Sequence, residues 1–210
     1  MQACAGTLRL NTPKQLDDAS ERALVDRCRR NDLEAFGRFI DAYQNRVFGF
    51  IRRMVPIQDE AEDLTQEVFI RAFQHFGNFD GRCSVKTWLF RIANNLCIDR
   101  ARKLDRTPAH ADYYPSPDED EPIEISDVRW EPERIALDDE LMKLVEHGIS
   151  TMSDKLRGVL LLHDREDMAY EEIATTLNIP VGTVKSRLFL ARAHLQNVLS
   201  EYLKQEASRA

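Results

Sequence analysis

Lys185, Ser186, Arg187 and Arg192 are carried on a segment whose apolar residues repeat at helical spacing, within AYEEIATTLNIPVGTVKSRLFLARA (169–193). The segment reads as a short amphipathic helix over Tyr170–Leu177, a tight turn at Asn178-Ile179-Pro180-Val181, and a second helix from near Gly182. That is the pattern of a helix-turn-helix, which lays its second helix in the DNA major groove. At about 100° per residue, Val184, Leu188, Ala191 and Leu195 form one stripe that must face a core. The opposite face carries Gly182, Ser186, Phe189 and Leu190, flanked by Thr183, Lys185 and Arg187. Lys185 and Arg187 can reach phosphates or guanine edges, and an apolar side chain can touch a thymine methyl. Gly182 lets a phosphate approach a helix N-terminus, whose field favours it. A plain helical hairpin with a solvated basic face is the competing reading.

A second stripe lies in VKTWLFRIANNLCIDRARK (85–103), where Arg91, Asn95, Ile98 and Arg102 share one side, bordered by Trp88 and Ile92. Bases and an amide among apolar groups suit a strand with unstacked bases. The competing role for Trp88 and Ile92 is core packing. The helix before it opens on Asp59, Glu60, Glu62, Asp63 and Glu67. Acids favour a helix N-terminus by themselves; a negative docking face for a basic protein is the sharper reading, with Asp63, Gln66 and Glu67 off the apolar stripe.

The elements that position these groups follow from periodicity. Leu33, Phe36, Ile40, Tyr43, Val47, Phe50/Ile51 and Met54 mark one face of a long helix ending near Pro56. Leu64, Val68, Ala72, Phe73 and Phe76 mark the next. Trp88, Leu89, Ile92, Ala93 and Leu96 mark a third, after the turn Asn78-Phe79-Asp80-Gly81. Residues 1–20 read as a loose tail. Ile135, Leu141, Leu144, Val145 and Ile149 resume the helical pattern, and Ser153 reads as the N-cap of a helix containing Leu156, Val159, Leu160 and Leu162. The fold class is all-α: two small helical domains, 21–103 and 134–210, joined by a flexible linker over 104–133. That linker holds five prolines and ten acids against two bases, a net −8. It resolves an apparent contradiction. The whole 210-residue chain carries −7, yet 82–103 is +5 and 178–210 is +3, and local fields govern phosphate binding.

No apolar run approaches the ~20 residues of a membrane span, and the start lacks a secretory pattern. Cys4, Cys28, Cys83 and Cys97 are scattered, without metal-ligand spacing, and fit free thiols in a reducing cytoplasm. The five histidines are dispersed, and neither a phosphate loop nor a nucleophile elbow occurs, so neither an enzyme nor a cofactor or metal site is expected. A ligand-sensing helix-turn-helix regulator would bind duplex DNA unaided as a dimer; the 82–103 stripe argues against it. Intact DNA surfaces argue against an interaction-only protein.

Four stretches together resemble the extracytoplasmic-function sigma factors of bacterial RNA polymerase: DLEAFGRFIDAYQNRVFGFIRRMV (32–55), DEAEDLTQEVFIRAFQHFGNF (59–79), the 85–103 stretch above and MAYEEIATTLNIPVGTVKSRLFLARAHL (168–195). The resemblance implies a two-domain initiation factor. Its first domain would bind the clamp of core RNA polymerase around Asp63, Gln66 and Glu67. It would also recognise and melt the −10 element of promoter DNA through Phe79, Asp80, Gly81, Arg82, Trp88, Arg91, Ile92, Asn95 and Arg102, the 79–85 loop receiving a flipped base. Its second domain would read the −35 element through Gly182, Thr183, Lys185, Ser186, Arg187, Phe189 and Leu190 and dock on the flap. The family is often held by an anti-sigma factor, which implies a cytoplasmic, nucleoid-associated protein held near the inner membrane when inhibited. Three features depart from the family pattern: Ala169 where Ser is common, which moves the expected helix start toward Asp167; Leu190 where Arg is common; and the long acidic linker. Tethering makes the second binding event intramolecular, so the isolated chain is expected to bind duplex promoter poorly, its linker competing for the basic faces.

Overall fold

The computed structural model describes residues 18–105 and 139–207. Every regular element among them is helical: α1 (Asp18–Arg29), α2 (Leu33–Met54), α3 (Gln58–His75), α4 (Val85–Asp105), α5 (Asp139–Ser150), α6 (Asp154–Asp164), α7 (Tyr170–Leu177) and α8 (Val181–Ala207), with one 3₁₀ turn at Phe76–Asn78. Most of the expected tail and linker, and Ile135, lie outside the described residues. Residues 18–20 open α1, and 104–105 complete α4.

Asp32 starts α2 by accepting the Ala35 N–H at 3.1 Å, the N-cap bond that such side chains favour. Arg27 at the end of α1 donates to the same carboxylate at 2.8 Å, holding it below the usual carboxylate range. The helix stops before Pro56 because the residue preceding a proline is pushed to extended backbone, and Val55 has φ −120° and ψ 127°. Phe36, Tyr43, Val47, Phe50, Ile51 and Met54 are buried as the stripe predicts. Leu33 is not: it is 71% exposed on the first turn. Phe39, outside the stripe, is fully buried at the centre of an aromatic cluster with Phe36, Tyr43, Phe69 and Phe76. On α3 the buried face is Ala61, Val68, Phe69 and Ala72; Phe73 sits at its edge, 38% exposed, with its ring edge-on to Phe36 at 5.0 Å.

In the C-terminal half, Ser153 is the N-cap of α6, but its side chain makes no capping bond. Ala169, not Asp167, caps α7. Alanine has no acceptor to offer; the Glu172 carboxylate instead accepts the Ala169 N–H at 3.0 Å, one half of a capping box. Asp167 precedes the helix in left-handed backbone, φ 49°. Asn178 ends α7 at φ 55°, ψ 50°, a conformation Asn tolerates better than most side chains.

The two halves pack on each other, α4 against α7 and α2 against α5 and α6, so that one apolar core runs from Leu24 to Ala191. Arg157 of α6 is buried, and its guanidinium donates to the carbonyls of Ile149, Ser150 and Met152 in its own half and of Met54 in the other. Beside it, Gly158 faces Asn94 of α4: a Cβ built there would lie 3.2 Å from Asn94 Oδ1. Glycine inside a helix costs about 0.5–1 kcal/mol relative to alanine, and the close approach is the gain that offsets it.

Candidate nucleic-acid and polymerase interfaces

The helix-turn-helix is built by α6, α7 and α8. Val184, Leu188 and Ala191 are buried, with Leu195 packed at the edge, as the stripe predicts. Phe189 and Leu190 are left 41% and 42% exposed on the outer face. Gly182 is open, with nothing near a Cβ position. Lys185 lies on the outer side with its Nζ 5.9 Å from the centre of the Tyr170 ring, and Tyr170 in turn stacks on His163 at 5.4 Å. The α7 ring thus steadies a cation on the reading helix, a cation–π contact. Ser186 donates back to the Thr183 carbonyl at 3.1 Å, whereas Arg187 makes no ion pair among the described residues. Arg192 is held by Asp164 at 3.2 Å.

The other nucleic-acid candidates surround α4. Ser84 caps that helix through the Thr87 N–H at 3.0 Å. The loop before it is ordered at both ends. Phe79 is buried against Phe76 and Trp88, its ring 5.2 Å from the indole. Asp80 accepts the Arg82 N–H at 3.1 Å and pairs with its guanidinium at 2.7 Å. Gly81 at φ +74° occupies backbone that favours glycine. Asp80, Gly81 and Arg82 are exposed, Trp88 half-buried. Along α4, Asn95 is exposed, Ile92 half-buried, and Arg102 makes a loose 3.8 Å pair with Asp99. Arg91 is half-buried: it donates to the Thr175 carbonyl on α7 at 2.6 Å, and its Nε is buried without an acceptor.

On α3, Asp63 and Gln66 are exposed, and Glu67 is tied to Arg71 at 2.7 Å. The same outer surface continues into exposed Ile70 and the edge of Phe73. Sequence periodicity missed that apolar continuation because Phe73 fits the core stripe. It also missed the groups joining the halves. Arg46 and Glu166 form a 2.6 Å ion pair, both side chains nearly buried. Burial pushes the Glu166 carboxyl up despite Arg46. Arg53 and Arg165 converge on Glu146 at 2.8 and 3.1 Å. The one signal available was a glycine next to an arginine inside the apolar run LRGVLLL. Among the described residues no His/Cys/Asp/Glu cluster could hold a metal ion, and no helix is long and apolar enough to cross a membrane.

Comparison with known proteins follows the same division of the chain. Residues 39–107 match Sigma-70 region 2, and residues 142–195 match Sigma-70, region 4. The chain is 35% identical over 192 residues to the RNA polymerase sigma-H factor of Pseudomonas aeruginosa, covering 90% of this chain and 99% of that protein. It is 32% identical over 191 residues to the ECF RNA polymerase sigma-E factor of Escherichia coli K12, with coverage of 90% and 98%. Two solved structures share the fold. One is the sigma factor RpoE in complex with the anti-sigma factor NepR from Bartonella quintana (TM-score 0.61, 24% identity, 79% of this chain and 96% of that one). The other is CnrH in complex with the cytosolic domain of CnrY (TM-score 0.62, 21% identity, 87% and 98%).

Proposed function

The chain belongs to the extracytoplasmic-function sigma factors, which bind core RNA polymerase and direct it to promoters, and from that premise we propose how its surfaces divide the work. The outer face of α8 reads the −35 duplex: Lys185 and Thr183 meet phosphate beside the open backbone of Gly182, Arg187 and Ser186 meet base edges, and Phe189 and Leu190 meet thymine methyls. Leucine at 190 gives this chain an apolar contact at that position.

The −10 element is opened by capture. Asn95 and Ile92 hold unstacked bases along α4, with Arg91 and Arg102 on phosphate. The Asp80–Arg82 turn receives a flipped base. Phe79 and Trp88 support that turn from beneath, and their mutual packing favours this arrangement. Binding extruded bases offsets the cost of opening a few pairs, so the step needs neither nucleotide hydrolysis nor a catalytic residue. Asp63, Gln66 and Glu67 on α3 dock the polymerase clamp, and the C-terminal half docks the flap. An anti-sigma factor controls the protein in response to a signal, as the anti-sigma complexes of two proteins of like fold suggest. The site of action is the nucleoid, with retention near the inner membrane while the inhibitor is bound.

The observation that carries this reading is the presence, in one chain, of a helix-turn-helix with an outward basic and apolar face and a second amide-bearing helix behind an ordered turn. Transcription in vitro with core polymerase on a randomised promoter library tests it. Selective initiation on a −35/−10 pair supports it; failure to initiate on any template overturns it.

A further inference from the structure

We propose that the cavity bounded by α2, α4, α5 and α6 is a binding site for a nucleoside monophosphate. It uses none of the residues assigned above to DNA or polymerase, and its existence does not rest on that functional reading.

The cavity holds about 630 Å³, within the range of roughly 300–1,000 Å³ typical of small-molecule sites. Its charged lining comes from four helices: Arg52 and Arg53 in the last turn of α2, Arg100 on α4, Glu146 on α5, and Asp154 and Arg157 at the start of α6. Four arginines therefore face two carboxylates. The macrodipole favours bases at the end of α2 by itself, but it does not gather cations from three helices around one hollow.

The two acids are already claimed. Glu146 is shared by Arg53 at 2.8 Å and Arg165 at 3.1 Å, and Asp154 lies 3.3 Å from Arg157. Burial and the neighbouring Arg53 push the Arg165 guanidinium down, as an excess of positive charge would. Two of the lining arginines keep donors to spare. Arg52 is exposed, makes no ion pair among the described residues, and spends one nitrogen on the carbonyls of Val55 and Pro56 at 3.4 and 3.0 Å. Arg100 meets Glu60 through one nitrogen only.

Guanidinium groups with free nitrogens grip phosphate oxygens in pairs. A phosphate monoester carries a charge of about −1.5 to −2 at neutral pH, which matches the lining's surplus of two. Phosphate alone would leave most of the hollow empty. The rest of the wall includes Met54, Val55 and Ile149, an apolar surface that can seat a planar base.

Isothermal titration of the full-length protein with AMP and with GMP tests the assignment, beside adenosine, guanosine and inorganic phosphate. One of the two nucleotides is expected to saturate a single site with a Kd of about 100 μM or below. Its nucleoside and inorganic phosphate are each expected to bind at least tenfold more weakly. Arg52→Ala is expected to weaken the nucleotide about tenfold, the scale of one hydrogen bond to a charged group, and Arg52→Lys to recover part of that loss. Ala101→Leu narrows the cavity without changing its charge and is expected to weaken binding at least as much; unchanged helix content by circular dichroism shows that each variant is folded. Cys97 is buried on the cavity wall, so the nucleotide is expected to slow its modification by methyl methanethiosulfonate several-fold and to leave Cys83 unaffected. Inorganic phosphate binding as tightly as the nucleotide overturns the nucleotide assignment. Failure of both nucleotides to saturate, or binding that survives both Arg52→Ala and Ala101→Leu, overturns the site. A chain that binds the nucleotide yet fails to initiate with core polymerase leaves the site standing and overturns the functional reading.

Discussion

Lys185 and Arg187 differ in how they are held, and the difference predicts how each fails. Lys185 is steadied over the Tyr170 ring, a placement that suits a point charge meeting phosphate. Replacing it with alanine is expected to weaken holoenzyme binding about evenly across −35 sequences and to lower the salt dependence by about one ion. Arg187 has no ion pair among the described residues and is available for a guanine edge; Arg187→Ala is expected to cost about 1–3 kcal/mol and to relax preference at one position. Promoter-library transcription at two salt concentrations separates the two. The thiols offer a second residue-scale prediction. Burial pushes Cys28 up to about 11 and Cys97 up to about 12, so both remain protonated at pH 8. Cys83 is raised as well but half-exposed. Because the thiolate is the nucleophile, peptide mapping after brief alkylation at pH 8 is expected to find Cys83 modified ahead of Cys28 and Cys97.

At the scale of the element, α7 carries an incomplete capping box. Ala169→Ser adds the missing acceptor to the one Glu172 bond already present, and such a cap is worth about 1 kcal/mol. Thermal unfolding of the variant is expected about 2–4 °C higher. On α3, reversing Asp63 to lysine should slow association with core polymerase and weaken it about tenfold, as loss of a rim charge does; the K185A/R187A pair should leave that binding unchanged. The helix-turn-helix was legible almost to the residue, because its stripe contacts a core on one side only. The buried faces of α2 and α4 were less so. Phe39 and Phe90 are fully buried outside the predicted stripes, since α2 is packed by α1, α3, α4, α5 and α6, and α4 by α2, α3 and α7. A helix enclosed from several directions has no single stripe to read. Leu33 fails oppositely: it keeps the period of α2 but lies on its first turn, beyond the reach of the core.

For the molecule as a whole, periodicity gives two groups of helices and says nothing of how they meet. Arg46 with Glu166, Arg53 with Glu146 and Arg157 with Met54 join residues about a hundred positions apart, a separation that no local pattern encodes. Because one apolar core spans both halves, the full chain is expected to unfold in a single calorimetric transition at neutral pH, and Arg46→Glu to divide it in two. Two transitions in the wild type would mean that the halves melt independently.

The buried Arg91 Nε meets no acceptor among the described residues. A guanidinium hydrogen shut away from water without a partner costs about 1–3 kcal/mol. A phosphate oxygen or a water molecule would relieve it at once. The side chain that reaches across to the Thr175 carbonyl therefore keeps one donor unspent for an oxygen that arrives from outside.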